Sequence, residues 1–317
     1  MEGELFVDAA LLAGRLLLRS VPVMAAGVLL AELLVALRIT DRIASLVLPI
    51  TRFSHLSHGC GACFLMAFIS PSAANAMLVD HYHHGRIVRR ELVIASLLNS
   101  FPAIVMHWRI LLPVYIPLLG LAGALYFLIL TAVGLVKTVI VMFAGRVFLP
   151  KPDGTFRIPE AKPRPEIRDL IGDVWQSAKK PLTRILAVTV PTIAVVAVLI
   201  EAGVFDRLAE SLSGVSGFFP VPVEGVGIIA AQFANYVAAA GVASPLYASG
   251  IISTRDLVLT MLVGNVLSSV TRTARWFGPA YVGIFGPRIG TEVMLYSTLL
   301  RNGIMLIAIF VLAVFWQ

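Results

Sequence analysis

The chain has 317 residues, of which 58% are hydrophobic and 14% charged, and its mean hydropathy is +0.90. A soluble domain keeps about a quarter of its residues charged, so this composition excludes a soluble enzyme and predicts an integral membrane protein. The net charge of +7 lies in short stretches between long apolar runs. Such stretches orient membrane proteins and do not form a nucleic-acid surface, so we expect no nucleic acid among the partners.

The apolar runs are continuous and longer than the roughly 10-residue alternating strands of a membrane β-barrel, which predicts an all-α polytopic protein. In chain order, apolar helices occupy residues 1–149 and resume at 185–317. The polar stretch between them, 150–184, contains KPDGTFRIPEAKPRPEIRDL. It is too short and too proline-rich to be a domain, so we predict a basic linker that joins two membrane regions.

The two apolar regions repeat one unit, which predicts two domains of the same architecture. The segment Gly85–Leu92 matches Gly250–Leu257, and Asn99 matches Asn265. Each copy reads as a first helix, a hairpin-like segment, a third helix and a long fourth helix. Further matched positions are Val21 with Val190, Pro22 with Pro191, Glu32 with Glu201, Arg109 with Arg275, Pro113 with Pro279, Tyr115 with Tyr281, and Gly120 with Gly286.

Loop charges indicate how the copies are oriented, because positive loops favour the cytoplasmic side. If 61–79 and 226–249 are re-entrant hairpins, 17 Lys and Arg lie inside and 5 outside; if both segments span fully, the numbers are 14 and 8. The stronger bias favours the hairpins. Each copy then has three crossings, so the second copy is inverted, as in many transporters. This predicts a multi-pass protein of the cell membrane with a cytoplasmic linker, and an eight-helix bundle remains the alternative.

Polar residues in the middle of both hairpins predict a solute site. Proline at position 71 breaks a helix, and broken helices at membrane depth line solute cavities. In the second hairpin, Gly241 and Pro245 are the candidate breaks. The alternative is that small and amide side chains serve close helix packing. The predicted solute-binding side chains of the hairpins and following helices are Ser70, Ser72, Asn75, Asn99, Gln232, Asn235 and Asn265.

Two matched pairs of charged residues add candidates. Glu32 and Glu201 lie in apolar segments, where a carboxylate binds a coupling proton or sodium ion, pairs with an arginine, or lies close to the membrane interface. Arg109 and Arg275 lie near the ends of the third helices. A guanidinium there clamps a carboxylate or phosphate of the solute, or extends to the membrane surface.

The cysteines raise the question of a metal. His58, Cys60 and Cys63 have types and spacings that ligate zinc or iron, but the second copy offers no counterpart, so we predict no metal and keep these three residues as the weaker alternative. The sequence also lacks a phosphate-binding loop, a zinc-protease motif and a nucleophile elbow. These absences predict a protein that is not an enzyme and needs no cofactor.

The segments GCGAC at 59–63, SPSAANAM at 70–77 and GRIVRRELVIASLLNSFP at 85–102 resemble the Gate, or nucleoside-recognition, domain family. The family includes concentrative nucleoside transporters, the membrane part of the bacterial ferrous-iron transporter, and spore maturation proteins A and B. The resemblance implies two re-entrant hairpins and two broken helices around a midplane site. The chain lacks a GTP-binding domain and the additional amino-terminal helices of the nucleoside transporters, so the solute is not carried over.

Together these patterns predict a secondary transporter that moves a small polar solute, nucleoside-like or anionic, by alternating access. The expected partners are the solute, the lipid bilayer and a coupling ion, sodium or proton. The alternatives are a non-transporting membrane protein that docks a partner, and a metal-ion permease. Assembly as a homo-oligomer is left open.

Overall fold

The computed structural model describes residues 2–36, 47–68, 70–151, 167–202, 221–273 and 277–316, and within these ranges the chain is helical without β-strands. The all-α prediction is therefore confirmed for the described residues. A single 3-10 turn, Val223–Gly225, precedes α8. The α-helices are α1 (Glu2–Ala36), α2 (Val47–Phe53), α3 (His58–Ala67), α4 (Pro71–His83), α5 (Arg89–Leu98), α6 (Ser100–Phe148), α7 (Ile167–Glu201), α8 (Val226–Ala234), α9 (Tyr236–Ala248), α10 (Thr254–Arg272) and α11 (Gly278–Phe315).

The helix α6 reverses direction at a glycine. Gly120 has φ 53° and ψ −125°, a left-handed conformation that residues with a β-carbon rarely adopt. Beyond it, a β-carbon on Gly123 would lie 2.1 Å from the carbonyl oxygen of Tyr115. Eight residues of continuous helix rise roughly 12 Å, so this contact requires the chain to fold back on itself. We call residues 121–148 the return arm α6b.

The helix α11 reverses in the same way at Gly286, which has φ 77° and ψ 168°. A β-carbon on Gly290 would lie 2.5 Å from the carbonyl oxygen of Tyr281. We call residues 287–315 the return arm α11b. Both return arms are longer than the ~20 residues that a membrane crossing requires. Within the described residues, Leu111–Phe148 and Gly278–Phe315 are the two segments that are long and apolar enough to cross a membrane.

Each half of the chain contains a pair of short helices separated by a break. Between α3 and α4, Ser70 is extended, and its hydroxyl accepts a hydrogen bond from the Ala73 backbone N–H at 3.2 Å. Between α8 and α9, Asn235 is extended, and its Oδ1 accepts from the Ala238 N–H at 2.8 Å. Both side chains therefore cap the helix that follows the break.

The second break differs from the predicted one. Gly241 and Pro245 both lie inside α9, so neither interrupts the helix. The break falls at Asn235 because an asparagine side chain satisfies a backbone donor that the interrupted helix leaves free. A proline at this place is not needed, whereas in the first hairpin Pro71 begins α4 as its first residue.

The predicted linker at 150–184 is helical over its second part. From Ile167 onward, the chain belongs to α7, which continues without interruption into the apolar region. Val174 and Ala178 are buried and four residues apart, so they form one packing face of that helix. Residues 152–166 lie outside the described ranges.

The two halves of the chain pack into each other. The long helices α1 and α7 run against one another, and α9 packs between α7 and α6. The first-half helices α4 and α5 contact α11 of the second half, and Arg89 of α5 forms an ion pair with Glu292 of α11b. One buried apolar core contains residues of both halves, among them Tyr126 and Leu257. This exchange brings polar side chains of the first half next to those of the second.

Candidate functional site

The polar centre of the first half is a pair of buried asparagines. Asn75 lies in α4, and Asn99 ends α5 where the chain turns into α6. The Asn99 Nδ2 donates to the Asn75 Oδ1 at 3.0 Å, so this bond joins the hairpin to the helix that follows it. The Asn99 Oδ1 is buried and has no partner among the described residues. Ser72, another predicted site residue, is exposed on α4.

The second hairpin presents a buried glutamine. The Gln232 Nε2 donates to the backbone oxygen of Met261 in α10 at 3.0 Å, while its Oε1 is buried and unpaired within the described part of the chain. The first half reaches this hairpin through Tyr115, whose hydroxyl donates to the Tyr236 carbonyl oxygen at 3.3 Å. Since Tyr236 follows Asn235 directly, α6 supports the break itself.

Asn265 of α10 is the centre of a denser group. Its Oδ1 accepts from the Arg301 Nη2 at 2.7 Å and from the Arg272 Nη2 at 3.2 Å. The same Arg272 nitrogen also donates to the Asn265 backbone oxygen at 2.9 Å. On its other side, the Asn265 Nδ2 donates to the Tyr126 hydroxyl at 2.8 Å. One amide thus joins α6b, α10 and α11b.

Lys137 extends this group from the first half. Its side chain is only 4% exposed, and its Nζ donates to the Ser297 hydroxyl at 2.7 Å. Ser297 precedes Arg301 by one helical turn on α11b, so the lysine and the arginine share one region of the interface. Their charges act on each other, as do those of Arg301 and Arg272. We call Lys137, Arg272 and Arg301 the cationic cluster.

The cationic cluster has no acidic partner among the described residues. The ion pairs among the described residues join Asp80 to His84, Arg89 to Glu292, and Arg255 to Asp256, and none of them involves a residue of the cluster. The cluster instead bonds to neutral oxygens of Asn265 and Ser297. Lys137 is buried, and Arg272 and Arg301 are half-buried. Charges withdrawn from water are ordinarily paired, because desolvation without compensation is costly. The arrangement is therefore suited to a negatively charged group supplied from outside the described chain.

Several predicted site residues lie outside the described structure. Arg275 falls in the undescribed range 274–276, and the side chains of Glu32 and Arg109 are likewise not described. Glu201 is the last residue of α7 and is exposed. The structure therefore brings Asn75 to Asn99 and places Asn265 in contact with the cationic cluster, while the ion-coupling role of the two glutamates stays a prediction.

The contacts of Cys60 differ from those of a metal ligand. The Cys60 Sγ donates to the Glu91 Oε1 at 3.3 Å, and the Ser57 N–H donates to the same oxygen at 2.7 Å. A donating thiol keeps its proton, whereas metals bind the thiolate. Among the described residues there is no group of three His, Cys, Asp or Glu side chains that could hold a metal ion. The His58 side chain lies outside the described part.

Sequence reasoning missed Lys137 and Arg301 as site residues. The signal was present, since Lys137 is a single basic residue inside the apolar run LILTAVGLVKTVIVMF. A charge in the middle of a membrane segment is expensive and is a functional candidate by default. Neither residue has a charged counterpart at the matched position of the other half, so a comparison of the two halves does not reveal them.

Comparison with known proteins places the chain in a family. The uncharacterized protein MJ1556 of Methanocaldococcus jannaschii is 32% identical over 300 residues, which cover 92% of this chain and 93% of the relative. The chain belongs to the MJ1556 family. Two further relatives from the same organism resemble the chain, at lower identity. MJ0871 is 26% identical over 279 residues, 87% of this chain and 85% of its own, and MJ0880 is 20% identical over 293 residues, 92% and 95%.

No family model and no solved structure matches the chain. The alignments cover between 85 and 95% of each of the three relatives. Both halves of the chain are therefore common to the family.

Proposed function

We propose that this chain is a multi-pass protein of the cell membrane. The composition and the two long apolar segments support this placement. The return arms also turn large apolar side chains outward, as with Leu299 and Phe310 of α11b, each 67% exposed. In water such faces would be costly, whereas lipid solvates them. The excess of positive loop charges orients residues 150–184 toward the cytoplasm.

We further propose that the two halves are inverted Gate-type repeats, each with a re-entrant hairpin. The supporting features recur at positions that the sequence repeat aligns. Gly120 and Gly286 both reverse a long helix. Gly85 and Gly250, with φ 67° and 75°, both end the hairpins. The resemblance of the first hairpin to Gate domains points the same way. Inverted repeats place a solute site where the two copies meet.

The function that this arrangement supports best is secondary transport of a small polar solute by alternating access. The observation that carries the proposal is the buried polar contact between the halves. Tyr126 and Lys137 of α6b bond to Asn265 and Ser297 of the second half, inside otherwise apolar helices. Buried polar groups at the junction of two repeats form a binding site that rocking of one repeat exposes alternately to each side.

Solute counterflow in proteoliposomes tests this proposal. Purified protein is reconstituted with one unlabelled solute inside, and labelled solute of the same class is added outside, in separate runs for a nucleoside, succinate and inorganic phosphate. We expect accumulation above that of empty liposomes for one class. Asn265→Leu should reduce the rate at least ~10-fold, because the amide joins both halves. Ser249→Ala, a change at an exposed hairpin end, should leave the rate unaltered.

The result that would overturn the proposal is equal retention in empty and protein-containing liposomes for all three classes, with protein that is monodisperse and correctly inserted. That outcome would favour a membrane module that docks a partner and moves no solute.

A further inference from the structure

The cationic cluster holds more hydrogen-bond donors than the described residues use. A guanidinium carries five N–H donors and an ammonium three. Among the described residues, Arg272 and Arg301 each donate through Nη2 alone, and Lys137 donates once, to Ser297. The Nε and Nη1 groups of both arginines therefore have no acceptor within the described chain. These free donors lie beside three positive charges.

The two arginines are held as neighbours by a single acceptor. Both Nη2 atoms bond to the Asn265 Oδ1, at 3.2 and 2.7 Å. Like charges so close repel each other, and a neutral amide oxygen offsets this repulsion only in part. Tyr126 fixes the other end of the amide, so the oxygen stays between the guanidiniums. The described residues thus hold the charges in place without neutralising them.

The positions of Lys137 and Arg301 in their helices favour a solute over a lipid, while Arg272, the last residue of α10, contacts the same Asn265 oxygen as Arg301. Arg301 lies about halfway along α11b, and Lys137 slightly beyond the middle of α6b. At 1.5 Å per residue, either helix end is roughly 20 Å away. A lipid headgroup stays at the membrane surface, near the helix ends. A small soluble anion that enters between the halves can reach the middle.

We propose that Lys137, Arg272 and Arg301 bind a small oxyanion with at least two negative charges, of the phosphate or dicarboxylate class, between the halves. The inference rests on the proposed function, because it names the solute class of the same site. Guanidinium groups recognise carboxylate and phosphate oxygens through paired N–H donors, and a lysine adds a compact charge. A multivalent anion matches three cations better than chloride does.

Isothermal titration of the purified protein with inorganic phosphate, and separately with succinate, at fixed ionic strength tests this assignment. We expect saturable binding of at least one of the two. Lys137→Gln and Arg301→Gln should each raise Kd at least ~10-fold, because each removes one of three charges from a water-poor site. Arg86→Gln, which removes an exposed arginine between α4 and α5, should leave Kd within ~2-fold of the wild-type value. Wild-type affinity in both cluster variants would overturn the assignment.

Variants that keep the positive charge distinguish a loss of anion binding from a loss of the fold. Lys137→Arg and Arg301→Lys should bind the anion more tightly than the glutamine variants, and the wild-type protein should gain thermal stability with added phosphate or succinate, whichever binds. A titration with phosphatidate in mixed micelles forms the lipid arm. A stabilisation by phosphatidate alone, without any by phosphate or succinate, would overturn the assignment to a soluble anion.

The two proposals fail separately. If the protein transports a nucleoside and binds neither phosphate nor succinate, the anion assignment is wrong and transport stands. If the anion binds with the expected losses in the variants but no counterflow occurs, the anion site stands and transport is wrong.

Discussion

The polar centres of the two halves differ in charge although they are built on matched positions. In the first half, Asn99 bonds to Asn75, and both side chains are neutral and buried. In the second half, Asn265 occupies the matched position and bonds to Arg272, Arg301 and Tyr126. The Asn99 amide, whose partner is uncharged, holds the hairpin against the following helix, as interhelical amides commonly do. The matched amide of the second half holds two guanidiniums close together, where we propose that an anion binds.

Two halves that share a backbone feature therefore need not share the chemistry built on it. The reversals, breaks and positive-φ glycines occur in both halves, whereas the cations that have no acidic partner among the described residues come from α6b, α10 and α11b. The shared features carry the architecture and the unshared ones carry the proposed specificity. Predictions that compare matched positions can separate these two roles.

The largest effect is expected where the halves are alike, at the reversals. In Gly123→Ala, the new β-carbon would meet the Tyr115 carbonyl oxygen at 2.1 Å, and in Gly290→Ala the Tyr281 oxygen at 2.5 Å. Backbone atoms cannot move aside as a flexible side chain can, so each change should lower the free energy of unfolding by about 3 to 4 kcal/mol. The midpoint of thermal unfolding in detergent measures both losses.

Gly303→Ala is the matched control, because a β-carbon added at this position of α11b would have no neighbouring atom within 4 Å. Alanine there reduces the backbone freedom of the unfolded chain, so we expect the free energy of unfolding to rise by about 0.5 to 1 kcal/mol. Equal midpoints for Gly123→Ala and Gly303→Ala would show that α6 does not reverse as described.

An intermediate effect is expected where the halves differ. Asn265→Leu removes the partner of two guanidiniums and a tyrosine hydroxyl, and should cost about 2 to 3 kcal/mol. Asn99→Leu removes one bond, to Asn75, and should cost about 1 kcal/mol. Chemical denaturation of both variants in one detergent gives the comparison. A larger loss for Asn99→Leu would reverse the roles assigned to the two centres.

Much of the architecture could be predicted from the sequence, because helical class, apolar runs and glycines leave periodic or positional signals. The sequence shows Gly120 and Gly286 as a matched pair of glycines. It does not show that the helices reverse there, because the angle between two helix segments leaves no signal in the sequence. For the second break, the sequence favours Gly241 or Pro245, whereas the structure has the break at Asn235. A side chain caps a helix where a backbone N–H is left without a partner, and the packing of the two short helices determines where this occurs.

The candidate site was predictable only in part for a similar reason. Asn265 follows from the repeat, but Lys137, Arg272 and Arg301 lie on three separate helices, and their proximity arises from the way α6b and α11b fold back. Sequence spacing carries no information about contacts that two reversals create. The unmatched charges inside apolar runs were the available signal.

The smallest effect is expected at the two breaks, where it also separates capping from solute binding. Ser70→Ala and Asn235→Ala each remove a helix cap and should cost about 1 kcal/mol, whereas Asn235→Ser keeps a good cap and should be nearly neutral in thermal unfolding. If Asn235 only caps α9, then Asn235→Ser should also retain counterflow. If Asn235 contacts the solute, as its position in the hairpin predicts, Asn235→Ser should lose transport while it keeps stability. Stability lost equally in the serine and alanine variants would contradict the capping role itself.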